Sequence, residues 1–391
     1  MLTKQLQFAP ERDAEVLAVA PAAPAVFLLR GPEGEPYVSK TANLKRRLAR
    51  LLGRAEERSR RLNLRERVSG IEYTLTGSDF EAGFLLYKVL REHFPQSYAA
   101  RLRLRPAPLV KLHLENRYPR ASITTRLGGG SLYYGPFASR AAAEKFASDS
   151  LDFFKMRRCV DDLHPDPAFP GCIYSEMKMC LAPCFKGCSD EEYAAEVARV
   201  QDYFDSRGQS LARELGGERE QASARLEFEA AAAAHARLEK LTPVLGQLPE
   251  VVHRLDRLSA LMAQRSAEEN AVALFRVQAG AISGPMVFAV QPTAEQAAKS
   301  QSMESRVQEA LVAFPQAPAV SSQERMEHLA ILKRWFYRSN RAGEIFFADD
   351  KGALPMRRVV RGIGRVFHGE RAETAAPGGG AAQMLQREEP S

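Results

Sequence analysis

The stretch AVFLLRGPEGEPYVSKTANLKRRL, residues 25–48, decides the fold of the first part of the chain. Ala25–Arg30 is an apolar run of strand length, Gly31-Pro32-Glu33-Gly34 supplies turn chemistry, and residues 35–39 return as a second strand, so a hairpin is predicted. Asn43 stands where a helix cap belongs, ahead of Leu44, Leu48, Leu51 and Leu52 on one helical face. Its short side chain can accept a hydrogen bond from an amide that the first turn leaves unpaired. Working outward, Gly70–Leu75 reads as a third strand, and a helix from about Ser78 to His93 ends before Pro95, which cannot continue it. The order β-β-α-β-α predicts a small mixed α/β domain over residues 20–105.

Beyond it, residues 101–119 are basic and extended, and Tyr133-Tyr134-Gly135-Pro136-Phe137 reads as a tight turn before a helix over residues 139–158. A Cys-rich segment rich in Pro and Gly follows, closing a region of residues 106–190. Residues 191–245 read as helical, with two helices separated at Arg207-Gly208-Gln209. In residues 250–368 a second hairpin is expected from 272–277 and 285–290, then helices over 304–314 and 323–337, making another small α/β region. Residues 369–391 lack apolar periodicity and are expected to be disordered. The fold class is therefore α+β, with small mixed domains flanking a Cys-rich module and a helical segment.

The net charge of +7 is small, but eleven Lys and Arg fall between Lys40 and Arg67 against Glu56, Glu57 and Glu66. Such local enrichment suits a phosphate backbone, while a solvated helical face would look similar. No apolar run approaches the roughly 20 residues that span a membrane, and residues 1–10 lack a secretory apolar core. All five cysteines lie between Cys159 and Cys188. Disulfide scaffolds spread their cysteines among the elements they staple, so this clustering points to a metal or cluster site in a reducing, cytoplasmic compartment. Cys159, Cys172, Cys180 and Cys184 offer four thiolates without a competing His, which suits zinc or iron–sulfur ligation.

Three segments, in order, resemble the excision-repair nuclease subunit family UvrC. Ala25-Val26-Phe27, Tyr37-Val38-Ser39-Lys40 and Asn43-Leu44-Lys45-Arg46-Arg47-Leu48 are similar to the GIY-YIG nuclease domain that opens those proteins. Tyr134-Gly135-Pro136-Phe137, followed by cysteines in the pattern C-x12-C-x7-C-x3-C ending Cys180-Leu181-Ala182-Pro183-Cys184, resembles the family's Cys-rich region. Leu226-Glu227-Phe228-Glu229-Ala230-Ala231, continuing to His235, Leu238 and Leu241, resembles the UVR motif.

The resemblance implies a DNA-directed protein with a 4Fe–4S cluster on the four cysteines, zinc being the alternative. It implies docking on UvrB through Leu226 and Phe228, and DNA contacts from Lys40, Lys45, Arg46, Arg47 and Arg50. A chain of this length is expected to lack the family's ribonuclease-H-like and helix-hairpin-helix domains. Of the implied nuclease positions Tyr37, Lys40 and Arg47 are retained, whereas Phe27 replaces a tyrosine, Ser39 a glycine and Leu86 the metal-binding glutamate. A leucine cannot ligate Mg²⁺ or Mn²⁺, which want carboxylate oxygens. Glu81 and Glu92 point elsewhere around the helix, about 140° and 120° away. The expected function is a repair protein that binds DNA and UvrB with a silenced nuclease site. The alternatives are an active single-incision endonuclease and a purely structural metal module.

Overall fold

The computed structural model describes residues 2–54, 62–292, 300–314 and 319–370. Arg58, Arg60 and Arg61 of the basic run, and residues 371–391 of the expected tail, lie outside the described residues.

The first domain runs β1 (Lys4–Gln7), α1 (Asp13–Val19), β2 (Ala25–Arg30), β3 (Tyr37–Thr41), α2 (Leu44–Leu52), β4 (Gly70–Leu75) and α3 (Asp79–His93), followed by the short α4 (Tyr98–Leu102). Its antiparallel sheet has the order β1-β4-β2-β3, with Phe27 opposite Ser39 and Leu29 opposite Tyr37. Asn43 caps α2 as expected, accepting the Arg46 amide at 2.9 Å, and Ser78 caps α3 through the Glu81 amide at 3.1 Å. Successive side chains of a strand point to opposite faces. Ala25, Phe27 and Leu29 therefore pack with α1 and α2, while Val26 and Leu28 pack with Ala82, Leu85 and Val89 of α3.

The second sheet is built from β5 (Leu109–Leu112), β6 (Ala121–Thr124), β7 (Leu132–Gly135) and, across the helices, β8 (His253–Arg254), in the order β6-β5-β7-β8. Helix α5 (Arg140–Leu151) ends seven residues before the expected limit. The reason is local. Phe154, Met156 and Arg157 turn into the core, where the Lys155 amide donates to Glu196 at 2.5 Å and the Arg157 amide to the Tyr193 hydroxyl at 3.0 Å. After the one-turn α6 (Ile173–Glu176) come three helices rather than two: α7 (Asp190–Asp205), α8 (Gln209–Ala224) and α9 (Phe228–Gly246). The additional break falls at residues 225–227, where Leu226 adopts φ 62°. Leucine favours helix, so its sequence gave no turn signal.

The last region is a meander of β9 (Ser259–Arg265), β10 (Ala271–Gln278) and β11 (Ala281–Ala289), then α10 (Met303–Ala313), α11 (Ser322–Phe336), β12 (Glu344–Phe347) and α12 (Met356–His368). Its sheet has the order β11-β10-β9-β12. The expected hairpin is β10–β11, and the two expected helices are α10 and α11.

Helix α3 joins this region to the first domain. With one face on β2, it turns Phe80, Phe84 and Tyr87 toward the C-terminal region, where Phe80 meets Phe275 at 4.9 Å and Trp335 at 5.6 Å, and Phe84 meets His328 at 5.3 Å. Glu327 of α11 lies buried among them and accepts from the Tyr87 hydroxyl at 2.7 Å, the Tyr98 hydroxyl at 2.5 Å and the Gln323 amide at 3.0 Å. A buried carboxylate is tolerated only when its oxygens are satisfied in this way. Replacing Glu327 with Ala strands two buried hydroxyls and is expected to cost about 2–4 kcal/mol. Glu324→Ala, which removes the more exposed ion pair with Arg91 and a 3.9 Å approach to His328, is expected to cost under about 1 kcal/mol. Equal costs for the two variants in urea unfolding would show that Glu327 is not what ties α11 to α3.

Candidate nucleic-acid interface

The residues singled out by sequence fall on two faces of the first sheet. Tyr37 lies on the α2 side, where the Arg47 Nη2 donates to its hydroxyl at 2.7 Å and the Phe27 ring sits 6.1 Å away. Arg47 Nε is buried without a hydrogen-bond partner. Phe27 is wholly buried, so this position packs the core and offers nothing to solvent. Ser39 turns its hydroxyl onto the Lys40 carbonyl at 3.3 Å. On the outer face of α2, Lys45, Arg46 and Arg50 are exposed, and only Lys45 reaches back, to the Ala18 carbonyl at 3.4 Å. Arg65, counted with the basic run, has a structural task instead. It pairs with Asp13, whose carboxyl it holds below the usual range, and donates to the Leu52 carbonyl at 3.1 Å.

Lys40 and Leu86 belong to the other face. There Lys40 forms an ion pair with Asp79, and Asp79 pairs also with Arg338 from beyond α11. Burial pushes the Asp79 carboxyl up, but the hydrogen bonds and charges of Lys40 and Arg338 outweigh it and leave it below its ordinary value. Leu86 packs against the apolar cluster that holds Val26, Leu28, Leu85 and Val89 and lines the same cleft of about 190 Å³, together with Gly83, Leu102, Ile331 and Arg334. Asp79 is the residue that sequence reading missed. Seven residues before Leu86, it lies only about 20° from it around the helix, so that spacing was the available signal. Glu81, by contrast, caps the helix start by accepting the Gly77 amide at 2.8 Å.

All five cysteines are free and half-buried. Among the described residues, no group of three or more His, Cys, Asp and Glu is arranged to hold a metal ion. The thiols are nevertheless neighbours. Burial pushes the Cys180 thiol up to about 11, and the charges of Cys159, Cys184 and Cys172 add to the effect. Arg157, almost wholly buried, donates to the Cys159 sulfur at 3.3 Å, the Tyr118 carbonyl at 2.9 Å and the Asp161 carbonyl at 2.8 Å. Among the described residues no carboxylate pairs with it, so its charge is met by carbonyl dipoles and a cysteine sulfur. A buried cation without a counter-ion is costly, and an anionic sulfur site beside it would answer that cost. The Ala182 amide also donates to the Cys180 sulfur at 3.3 Å. The Cys159 and Cys180 sulfurs thus each accept a hydrogen bond, one from a guanidinium and one from a backbone amide.

Helices α8 and α9 form a hairpin, and its tip carries the two residues expected to meet a partner. Leu226, in the turn, is 71% exposed, and Phe228, at the start of α9, is 69% exposed.

A family model described as the UvrC/Cho excinuclease middle domain matches residues 107–203, which hold β5, β6 and β7 of the second sheet, α5, the cysteines and most of α7. A UvrABC system protein C from Alcanivorax borkumensis is 31% identical over 213 residues, 54% of this chain and 35% of the relative. Proteins of the same name from Methanothermobacter thermautotrophicus and Desulforudis audaxviator are each 28% identical, over 278 and 285 residues, 70% and 72% of this chain. This chain spans 46% of the length of each of those two. No solved structure is significantly similar to it. The sequence matches extend well beyond the middle domain and bear one name throughout: the chain is a member of the UvrC family.

Proposed function

We propose that this protein is a cytoplasmic nucleotide excision repair factor that binds DNA and UvrB, with a GIY-YIG-type nuclease site that does not cut. The reading rests on Leu86, an apolar side chain at the position where the family resemblance calls for a metal-binding glutamate. Asp79, whose carboxylate lines the same cleft, is engaged by two cations, Lys40 and Arg338. A hard divalent ion needs free oxygens and a surplus of negative charge, and this cleft offers neither. The buried Phe27 likewise has no hydroxyl to give.

DNA contact is supported by the exposed Lys45, Arg46 and Arg50 of α2 and by Arg47 beside Tyr37. These groups can hold phosphates by charge-assisted hydrogen bonds whether or not a strand is cut. Docking on UvrB is supported by Leu226 and Phe228, two large apolar side chains left in water at the tip of a helical hairpin, where a partner would desolvate them. Among the described residues no helix is long and apolar enough to cross a membrane. Cys159, Cys172, Cys180 and Cys184 would hold a 4Fe–4S cluster or zinc, and either, on four thiolates, would supply a crosslink for the Pro-rich loop and net negative charge beside Arg157.

Two measurements test this reading. Affinity for duplex DNA is expected to fall steeply with added salt, and changing Lys45, Arg46 and Arg50 together to Gln is expected to reduce that slope by about three, one per phosphate contact. A salt-independent affinity, or no affinity, would refute DNA binding. Anaerobically purified protein is expected to be brown, with visible absorption lost in Cys180→Ser and that loop made protease-sensitive. Colourless protein carrying one equivalent of zinc would rule out the cluster.

A further inference from the structure

The cleft beside Leu86 holds more positive charge than a merely abandoned nuclease site requires. Lys40 of β3, Arg101 of α4, and Arg334 and Arg338 of the C-terminal region all line it. The carboxylates that meet them are Asp79, shared by Lys40 and Arg338, and Glu35, which accepts from Arg101 at 2.9 Å. Four cations against two carboxylates leave an excess of two positive charges. Arg334 points its guanidinium at the Leu102 and Arg103 carbonyls, at 3.1 and 2.6 Å, so its hydrogen-bond partners are carbonyl dipoles, and the charge of Asp79 reaches it from further off. Burial, then the charges of Arg338 and Arg105, hold Arg334 below its ordinary basicity.

Two features make the cleft suited to an anion from outside. First, the ion pairs within it are open to solvent, with side-chain exposures of 37% for Lys40, 51% for Arg338 and 54% for Asp79. Exposed pairs of this kind contribute little and exchange partners readily. Second, the floor is apolar, made by Leu86, Leu102, Leu104 and Ile331, and a Cβ added at Gly83 would meet no atom within 4 Å. Charges on a low-dielectric floor act more strongly than the same charges in water.

We propose that this cleft is a metal-independent site for a backbone phosphodiester of DNA, in which Arg338 and Lys40 take the phosphate oxygens and Arg334 adds charge behind them. The guanidinium fork of Arg338 matches two phosphate oxygens, and the C-terminal region thereby supplies the positive charge that a divalent ion would bring to a working nuclease. Asp79 holds Lys40 and Arg338 in place and competes with the phosphate for them. The proposal rests on the reading that the first domain binds DNA without cutting it.

The test is fluorescence anisotropy of the full chain with a short fluorescein-labelled duplex, in EDTA and at low salt. Arg338→Gln is expected to weaken binding about tenfold, the size of one lost charge-assisted contact. Asp79→Asn is expected to tighten it severalfold, a gain that a misfolded variant cannot mimic. Leu86→Glu, which sets a carboxylate among Lys40, Arg334 and Arg338, is expected to weaken binding as Arg338→Gln does. Inorganic phosphate at millimolar concentration is expected to compete with the duplex in the wild type and not in Arg338→Gln. Unchanged affinity in Arg338→Gln and Asp79→Asn, with binding still lost on changing Lys45, Arg46 and Arg50, would overturn the cleft while leaving DNA binding intact. Phosphate bound through Arg338 without any effect on DNA would overturn it as well, identifying a small-anion site. No binding by the wild type would instead refute the reading beneath it.

Discussion

Helix α3 is packed on two sides at once, and the rest of the structure follows from that constraint. Ala82, Leu85 and Val89 close the core of the first sheet, while Phe80, Phe84 and Tyr87 enter the core of the C-terminal region. A helix apolar around most of its circumference must be buried between two bodies. Glu327 gives the second contact its specificity, because an apolar interface alone would tolerate sliding whereas two tyrosine hydroxyls on one carboxylate fix a register. The C-terminal region is thus built into the first domain, and Arg334 and Arg338 reach the cleft as a consequence of how α3 is held.

This placement bears on the proposal that Leu86 stands in place of a metal-binding glutamate. With Leu86 alone in view, the site lacks one carboxylate. The structure adds that cations from a distant part of the chain line the same cleft, and that Asp79 there is engaged by two cations. Absence of a ligand and presence of competing positive charge act in the same direction against a divalent ion. Meanwhile Tyr37 and Arg47, on the opposite face of the strand pair, keep a direct hydrogen bond to each other.

Much of the first domain was legible because its signals are local. An apolar run, a Gly-Pro turn, an Asn cap and a leucine stripe each lie within a few residues, and β2, β3, α2, β4 and α3 follow from them. The break at residues 225–227 was not legible, since Leu226 carries no preference for its left-handed backbone. Asp79 was within reach through the i, i+7 spacing to Leu86, although Glu81 and Glu92 are nearer neighbours in sequence. Arg338 was beyond local reading: it meets Asp79 across 259 residues of chain, and no short-range pattern encodes such a pairing. Arg157 was likewise unremarkable as sequence, and only its burial beside the Cys159 sulfur gives it meaning.

We propose that this member of the UvrC family keeps a nuclease scaffold as a DNA-holding surface without the chemistry. The most direct measurement is strand incision of damaged duplex by the wild-type chain with UvrA and UvrB present, in Mg²⁺ and in Mn²⁺. The account expects no cutting above the metal-free background, since electrostatic stabilisation by the ion is usually the largest catalytic contribution. Robust metal-dependent nicking that disappears in Tyr37→Phe would contradict it, showing that another group, Asp79 foremost, supplies the carboxylate that Leu86 lacks.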